Sequence, residues 1–214
     1  PICSSIGSEK RTVRSFVVPH LERDSQIMAD EVQNVRAFGS ENATEAVQTL
    51  VNERLQDLRA MHEVTLEHLR ASAIQGIVLD ADGSTIYNLF TEFGVSQQTA
   101  VITTSSSSDL GDEVRGDIVA AQRLIEDELG AEPISGYRAF CGAGFFDLLR
   151  ADKGVVETLR HADPQSLREQ EANARVFRFG GVTFEEYRGS TGGTPFFPDL
   201  EAYLIPEGAQ IFST

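Results

Sequence analysis

The sequence predicts an α+β fold in which one long helix is followed by antiparallel strands, and three features indicate this. Residues 42–76 carry apolar side chains that are mostly three or four positions apart, the period of an amphipathic helix. Residues 77–89 change to short apolar runs around an Asp-Gly turn, which is typical of a β-hairpin. Residues 175–214 show only strand and turn patterns, and no internal repeat is present.

The long helix has clear end signals. Asn42, followed three residues later by Glu45, predicts a capped start, and Gly76 supplies the left-handed residue that ends many helices. We expect about 33 residues of helix, roughly 50 Å long at 1.5 Å per residue, which is more than a compact domain of this size needs. The helix would be a spine that lies across a sheet and also contacts something outside the fold. Its predicted packing stripe comprises Val47, Val51, Leu55, Leu58, Met61, Leu66, Leu69 and Ala73.

The N-terminal region contains the one basic segment of an acidic chain. Residues 11–19 (RTVRSFVVP) are rich in β-forming side chains, and two interpretations stay open. One is an edge strand with solvated arginines. The other is an arm that reaches the acidic surface of a neighbouring subunit, where complementary charge sets the register of the contact. The candidate interface residues are Lys10, Arg11, Arg14 and Arg23.

The connections and later elements follow from composition. Residues 27–38 are predicted as a short connector, and residues 91–104 as a second β-rich piece. The polar run at 103–108 predicts a linker between two lobes. Residues 112–129 predict a helix closed by Gly130 and Pro133. The expected elements after it are a buried strand at 137–141, one or two helices at 142–160 and an exposed loop at 161–173.

The charge balance limits the classes of function. A formal net charge of −15 argues against a general nucleic-acid binder, because phosphate contact needs clustered Lys and Arg. No apolar run approaches the roughly 20 residues that cross a bilayer, so we expect no membrane partner. Cys3 and Cys141 lack metal-type spacing, which favours a reducing compartment and leaves a single disulfide open. Because the first residue is Pro1, either processing has removed a segment or flanking residues are absent.

One motif suggests chemistry. Residues 77–84 (IVLDADGS) resemble the first motif of haloacid-dehalogenase-type phosphatases, in which Asp80 would be the nucleophile and Asp82 the general acid/base, with magnesium between them. Phosphoryl transfer also needs a Ser or Thr after a second strand, a Lys and further carboxylates. Thr104 and Lys153 are candidates for the first two, but no later strand ends in paired carboxylates. A hairpin turn is therefore the preferred interpretation, and the phosphatase is the alternative.

The other candidate sites have ordinary structural explanations. His62 and His68 are six residues apart, which places them about 120° apart around a helix, so they do not form a ligand pair. The glycine-rich runs at 142–144 and 189–193 lack the spacing of a phosphate-binding loop, and tight turns are preferred. Cys141 has no obvious histidine partner. The sequence thus predicts no catalytic residue, no cofactor and no metal.

Four stretches of sequence carry a family resemblance. They are residues 36–39 (RAFG), 65–83 (TLEHLRASAIQGIVLDADG), 179–189 (FGGVTFEEYRG) and 197–208 (FPDLEAYLIPEG). Together they span nearly the whole chain, and they resemble the lambda-type major capsid protein E family of tailed bacteriophages. Members of that family also have an N-terminal arm and a closing stretch beyond these residues. The chain therefore resembles the middle and greater part of a capsid subunit.

The resemblance implies the α+β fold named for bacteriophage Hong Kong 97, with a long spine helix, peripheral and axial domains and an extended loop. Its expected boundaries are 1–40 for the extended loop or arm, 41–111 for the peripheral domain with the spine helix, 112–190 for the axial domain, and 191–214 for strands that return toward the peripheral domain.

The resemblance also implies a function. It implies a major capsid protein of a tailed bacteriophage or prophage that assembles into hexamers and pentamers of an icosahedral shell. The implied partners are other copies, with scaffolding, portal and decoration proteins, and packaged DNA that is enclosed but not specifically bound. The implied location is the virion, after assembly in the host bacterial cytoplasm. An unrelated oligomeric binding protein is a third interpretation, after the phosphatase.

Overall fold

The computed structural model describes residues 14–34, 43–80, 82–104, 111–130, 132–160 and 175–208. Helices and strands are both abundant, which confirms the predicted α+β class. The chain divides into two compact units, residues 1–62 and residues 63–214, so the division falls inside the long helix.

The described part of the first unit contains an irregular segment, a short helix and the beginning of the long helix. Residues 14–28 form neither helix nor strand, so the edge-strand interpretation is wrong for residues 14–19. The region predicted as a connector contains helix α1 (Ala29–Asn34). Arg54 Nη2 lies 3.3 Å from Glu31 Oε2, an ion pair between α1 and the long helix.

Helix α2 (Ala43–Ile74) is the long helix, and its 32 residues confirm the prediction. The predicted cap, Asn42, lies outside the described residues. Gly76 ends the helix as expected, with φ of 83° and an N–H that donates to the Ala73 carbonyl at 3.0 Å. A left-handed residue at this point satisfies a carbonyl that the last turn leaves unpaired.

The predicted packing stripe of α2 is confirmed only in part. Leu55, Met61 and Leu66 are exposed, at 58%, 49% and 44%. The partly buried positions include 54, 62 and 65, each one residue away from an exposed member of the predicted stripe. Both sets obey helical spacing, so only the packing of the folded chain decides which set is covered. The stripe residues that are partly buried as predicted are Val47, Val51, Leu58, Leu69 and Ala73.

The second unit begins with the end of α2 and the predicted hairpin. Strands β1 (Ile77–Leu79) and β2 (Thr85–Asn88) pair antiparallel, which confirms it. The Asn88 side chain then accepts a hydrogen bond from the Thr91 N–H at 3.1 Å and starts helix α3 (Leu89–Phe93). Residues 95–104 follow without a strand. The β-rich prediction for 91–104 is therefore wrong, because no described strand pairs with this segment.

A four-stranded mixed sheet forms the centre of the second unit. Its order is β4 (Val176–Phe179), β5 (Val182–Glu186), β3 (Gly136–Cys141), β8 (Ala202–Glu207). Strands β3 and β5 are parallel, and the other neighbours are antiparallel. Two short strands, β6 (Ser190–Thr191) and β7 (Thr194–Pro195), form a separate hairpin. The predicted strand at 137–141 and the strand-and-turn pattern from 175 are confirmed over the described residues.

Three helices supply the rest of the core. Helices α4 (Gly111–Leu129), α5 (Ala143–Ala151) and α6 (Lys153–Arg160) confirm the predictions for 112–129 and 142–160. Full burial of each large apolar side chain contributes about 1.5–3 kcal/mol relative to exposure. The predicted linker residues 105–108 and the loop 161–173 lie outside the described residues. The core comprises Val114, Ile118, Ala139, Cys141, Phe146, Leu149, Val155, Phe177, Phe179, Val182 and Phe184.

Candidate assembly surfaces

The Asp-x-Asp-Gly-Ser run forms the turn of the β1–β2 hairpin. The Ser84 N–H donates to Asp82 Oδ1 at 2.8 Å, and the Gly83 N–H donates to the Asp80 carbonyl at 3.0 Å. The Asp80 N–H closes the turn by donating to the Ser84 carbonyl at 2.8 Å. The hydrogen bonds from Ser84 lower the pKa of the Asp82 carboxyl, because they stabilise its charged form. The Asp82 carboxylate therefore stabilises the turn.

A phosphatase site would need further ligands around these two carboxylates. No group of three or more His, Cys, Asp or Glu side chains lies close enough to hold a metal ion within the described ranges. Asp80 and Asp82 lie on an antiparallel hairpin rather than at the end of a parallel strand, where α/β enzymes place such groups. The geometry favours the turn interpretation of this motif.

The glycine-rich turn before α5 is filled by the chain itself. A Cβ on Gly142 would lie 2.1 Å from the Pro198 carbonyl oxygen, and one on Gly144 would lie 2.5 Å from Asp199 Oδ2. The Gly144 N–H donates to Asp199 Oδ1 at 2.8 Å. The N-terminus of α5 thus already binds a carboxylate at the position where a phosphate would bind. This confirms the tight-turn interpretation.

The basic segment is only partly described. Lys10 and Arg11 lie outside the described residues, whereas Arg14 and Arg23 are exposed within residues 14–28, which form neither helix nor strand. Apolar side chains on the same segment are also exposed, since Val17 is 78% and Val18 is 85% accessible. A segment that presents both arginines and apolar side chains to solvent has the composition of a protein contact. Its role as a subunit interface stays a prediction.

Helix α2 also presents apolar side chains to solvent in each unit. Leu55 and Met61 are exposed in the first unit, and Val64 (47%) and Leu66 (44%) in the second. Single exposed apolar residues are ordinary, but apolar side chains that stay exposed on a helix are also the kind that another chain covers on association. The spacing alone did not separate the exposed members of the predicted stripe, Leu55, Met61 and Leu66, from the covered ones.

Within the second unit, an aromatic cluster packs against the last turns of α2. The Tyr187 hydroxyl donates to Glu67 Oε1, and Gln75 Nε2 donates to the Phe196 carbonyl at 2.6 Å. The His68 and Phe196 rings lie 5.1 Å apart. Burial, together with the hydrogen bond to Glu67, raises the pKa of Tyr187. No local sequence pattern reveals this cluster, because it joins the end of α2 to Tyr187 and Phe196, which are more than 100 positions later. Phe140, Phe197 and Tyr203 complete the cluster.

A charged cluster lies on strands β3, β5 and β8. Arg138 Nε donates to Glu207 Oε1 at 2.7 Å, and Arg138 Nη1 donates to Glu185 Oε2 at 3.0 Å. The hydrogen bond to Glu207 is the main cause that raises the pKa of Arg138. One guanidinium thus links three strands of the sheet. The sheet is fastened by a charged network on Arg138 in addition to its apolar core.

Neither a membrane span nor a reactive thiol emerges from the described residues. None of the helices in the described ranges is long and apolar enough to cross a bilayer. Cys141 is fully buried and unpaired, and its burial raises the pKa of the thiol to about 12. A thiol in this state is a poor nucleophile at neutral pH, so Cys141 acts as a small core residue.

Comparison with known proteins gives consistent matches. The family model described as "Phage major capsid protein E" matches residues 4–214. The major capsid protein of Pseudomonas phage KPP10 is 29% identical over 217 aligned residues, which cover 92% of this chain and 60% of that protein. The major capsid protein of Salmonella phage Felix O1 (isolate Felix O1-VT1) is 29% identical over 85 residues, 40% of this chain and 23% of that protein. The chain therefore spans 60% of the length of the first relative.

Proposed function

The chain belongs to the phage major capsid protein E family, and we propose on that premise that it forms the greater part of a phage major capsid protein, a subunit that assembles with its own copies into a shell. The observation that carries the proposal is the family match over residues 4–214. The similarity to the major capsid protein of phage KPP10, which covers 92% of the chain, supports it.

The exposed surfaces agree with a subunit of a shell. Such a subunit must keep apolar side chains accessible until a neighbour covers them, since their burial drives association. Leu55 and Met61 in the first unit, and Val64 and Leu66 in the second, are apolar side chains of this kind. The core of the second unit is complete without them, so their exposure leaves its packing intact.

The arrangement that we propose is the Hong Kong 97-type fold. Residues 1–40 would form the extended loop or arm, residues 41–111 the peripheral domain with α2 as spine, and residues 112–190 the axial domain. Residues 191–214 would return toward the peripheral domain. Support comes from the 32-residue helix α2 and from the mixed sheet with three helices that follows it.

The shell that we propose has hexamers and pentamers and occupies the virion, after assembly in the host cytoplasm. The net charge of −15 suits a shell that encloses DNA and does not bind it specifically, because like charges repel. Scaffolding, portal and decoration proteins would be the further partners of such a subunit. We propose no catalytic role, cofactor or metal.

Electron microscopy of the purified protein tests the proposal. Shells, or rings of five and six subunits, are the expected result, whereas small closed oligomers would favour an unrelated oligomeric binding protein. A magnesium-dependent phosphatase activity that Asp80→Asn abolishes would instead support the hydrolase alternative. Under the shell proposal, Asp80→Asn keeps assembly or weakens it modestly, since the backbone hydrogen bonds of residue 80 that close the turn remain.

The basic arm has its own test. We propose that Lys10, Arg11, Arg14 and Arg23 contact an acidic surface of a neighbouring subunit. The double variant Arg11→Glu/Arg14→Glu should lower the yield of particles at low salt, where charge pairing is least screened. The matched control is Arg115→Glu/Arg150→Glu, which changes the net charge equally at exposed positions of α4 and α5. Normal particles from the arm variant would remove the arm from the proposal.

A further inference from the structure

The second unit has a positively charged corner at one end of its sheet. Arg188 Nη1 lies 3.2 Å from Glu186 Oε1, and Arg175 Nε lies 4.0 Å from Glu186 Oε2. The Glu186 side chain is only 15% exposed, whereas those of Arg175 and Arg188 are 67% and 61% exposed. The partly buried carboxylate thus anchors two guanidinium groups that point to solvent. The two arginines outnumber the one carboxylate at this corner, whereas the whole chain has a net charge of −15.

The other end of the same sheet carries the opposite charge. Glu126, Asp127 and Glu128 are exposed in the last turn of α4, and that turn contains no basic residue. Carboxylates at a helix C-terminus are unfavourable, because the last carbonyl groups already make that end negative. A local conflict of this kind is relieved when a partner supplies cations, and such conflicts tend to mark functional sites.

Hydrogen bonds fix the position of this acidic turn. The Tyr137 hydroxyl donates to Glu126 Oε1 at 2.8 Å, and Gln122 Nε2 donates to the Gly180 carbonyl at 3.0 Å. Tyr137 is the second residue of strand β3 and is opposite Val182, the first residue of β5. Gly180 lies in the turn between β4 and β5. The acidic turn therefore lies at the Tyr137 end of the sheet.

The two charged surfaces are too far apart to pair within one copy. Tyr137 is opposite Val182, and Cys141 is opposite Glu186, so the arginine corner lies at the Cys141 end. Four residue steps along a strand separate the two ends by about 13 Å. Glu201, at the start of β8, is two strands away from the corner, and it accepts a hydrogen bond from the Tyr203 hydroxyl at 2.6 Å.

We propose that the arginine corner (Arg175 and Arg188) of one copy binds the acidic turn (Glu126, Asp127 and Glu128) of the next copy. This inference rests on the proposed function, for which it names a contact between subunits. Different surfaces meet in such a head-to-tail contact, which closes into a ring when the rotation per subunit allows. Arginine suits the contact, because its planar guanidinium pairs with carboxylates through two parallel hydrogen bonds.

A second copy fits the arginine corner better than DNA does. The corner contains its own carboxylate, Glu186, and the surrounding chain is strongly acidic, so a polyanion is repelled by most of the molecule. The acidic turn of another copy instead offers three exposed carboxylates at one helix end. Complementary charge of this kind sets the register of the contact and the rate of encounter.

Two charge-reversal variants test the contact. Arg175→Glu/Arg188→Glu makes both surfaces acidic, and Asp127→Arg/Glu128→Arg makes both basic while it keeps the Glu126 bond to Tyr137. At about 50 mM salt, where screening is weak, each variant alone should form at least about tenfold less sedimenting assembly than the wild type. An equal mixture of the two variants should recover six-membered rings, because opposite surfaces then meet in alternating order around an even number of subunits. The matched control Arg115→Glu/Arg150→Glu, at exposed positions of α4 and α5 outside both charged surfaces, should assemble like the wild type.

The outcomes separate this inference from the proposed function. Wild-type protein that forms no rings or shells would overturn the proposed function and, with it, this contact. Wild-type shells together with normal assembly by both reversal variants would overturn the contact alone. Loss of assembly by each variant without recovery of six-membered rings in the mixture would also overturn it, since that recovery needs the two surfaces to meet. A gel shift of double-stranded DNA that Arg175→Glu/Arg188→Glu abolishes, with assembly intact, would assign the corner to nucleic acid instead.

Discussion

The backbone N–H of Gly144 donates a hydrogen bond to Asp199 Oδ1 at 2.8 Å, across 55 positions of sequence. The Phe145 N–H donates to the Asp199 carbonyl, also at 2.8 Å, so one aspartate caps the first turn of α5 twice. The loop that carries Asp199 approaches so closely that residues 142 and 144 have no room for a side chain. Gly142 and Gly144 therefore allow the start of α5 to pack closely against the loop that contains Asp199.

Gly142→Ala should destabilise the second unit strongly. The new Cβ would lie 2.1 Å from the Pro198 carbonyl oxygen and 2.5 Å from that of Asp199, and both are backbone atoms that cannot rotate away. We expect a loss of about 3 kcal/mol or more in the free energy of unfolding, measured by chemical denaturation. Gly116→Ala is the matched control, because nothing lies within 4 Å of its Cβ in the interior of α4. It should stabilise by about 0.5–1 kcal/mol, and equal effects of the two changes would contradict the close approach.

Asp152→Ala should remove the cap of α6. Asp152 is only 3% exposed, and its Oδ1 accepts hydrogen bonds from the N–H groups of Gly154 at 2.9 Å and Val155 at 3.2 Å. Loss of the acceptor leaves buried donors unpaired, and we expect about 1–2 kcal/mol lower stability by urea unfolding. Asp152→Asn keeps an acceptor oxygen and should lose much less. A penalty for Asn as large as that for Ala would show that the negative charge, not the cap, is what matters.

The hydrogen bond between Tyr187 and Glu67 should appear as a coupling energy. Tyr187→Phe and Glu67→Gln, alone and together, form a double-mutant cycle, and we expect a coupling of about 0.5–1.5 kcal/mol. The pKa of Tyr187 is raised, so the coupling is complete below the ordinary tyrosine pKa and is lost as the pH rises through the raised value. Tyr203→Phe is the control, because its hydroxyl donates to Glu201 and should not couple to Glu67. A coupling energy of zero between Tyr187 and Glu67 would show that this hydrogen bond does not form in the folded protein in solution.

Cys141 should be inert in the folded protein and reactive after unfolding. In a Cys3→Ser background, a thiol reagent at pH 8 should find no reactive group until denaturant exposes one. Burial raises the thiol pKa from 9.0 to about 12. The stability that this group contributes is therefore complete below pH 9 and falls as the pH rises toward 12. Cys141→Ala should therefore lose less of its free energy of unfolding than the wild type between pH 9 and pH 12. Fast modification of Cys141 in the native protein would contradict the prediction, because it would show that strand β3 opens.

Local patterns predicted much of the fold because some elements are specified by neighbouring residues. Helix α4 ends at Leu129, as its apolar period and Gly130 indicate, and the hairpin forms around the Asp-Gly turn at 82–83. Residues 95–104 show the limit of this reasoning. Their side chains favour strands, but a strand needs a neighbour that pairs with it, and the described chain supplies none. For the assembly surfaces, spacing located an apolar stripe on α2 but could not separate its covered members from its exposed ones.

By itself the sequence determined the α+β class, the long helix, the hairpin, the buried strand β3 and the family resemblance. Each of these depends on residue type and short spacing, which act before distant parts of the chain meet. Only the tertiary structure decided that Asp199 caps α5, that Tyr187 holds Glu67 and that opposite charges lie at the two ends of one sheet. Those relationships join residues far apart in sequence, and their positions follow from strand register and core packing.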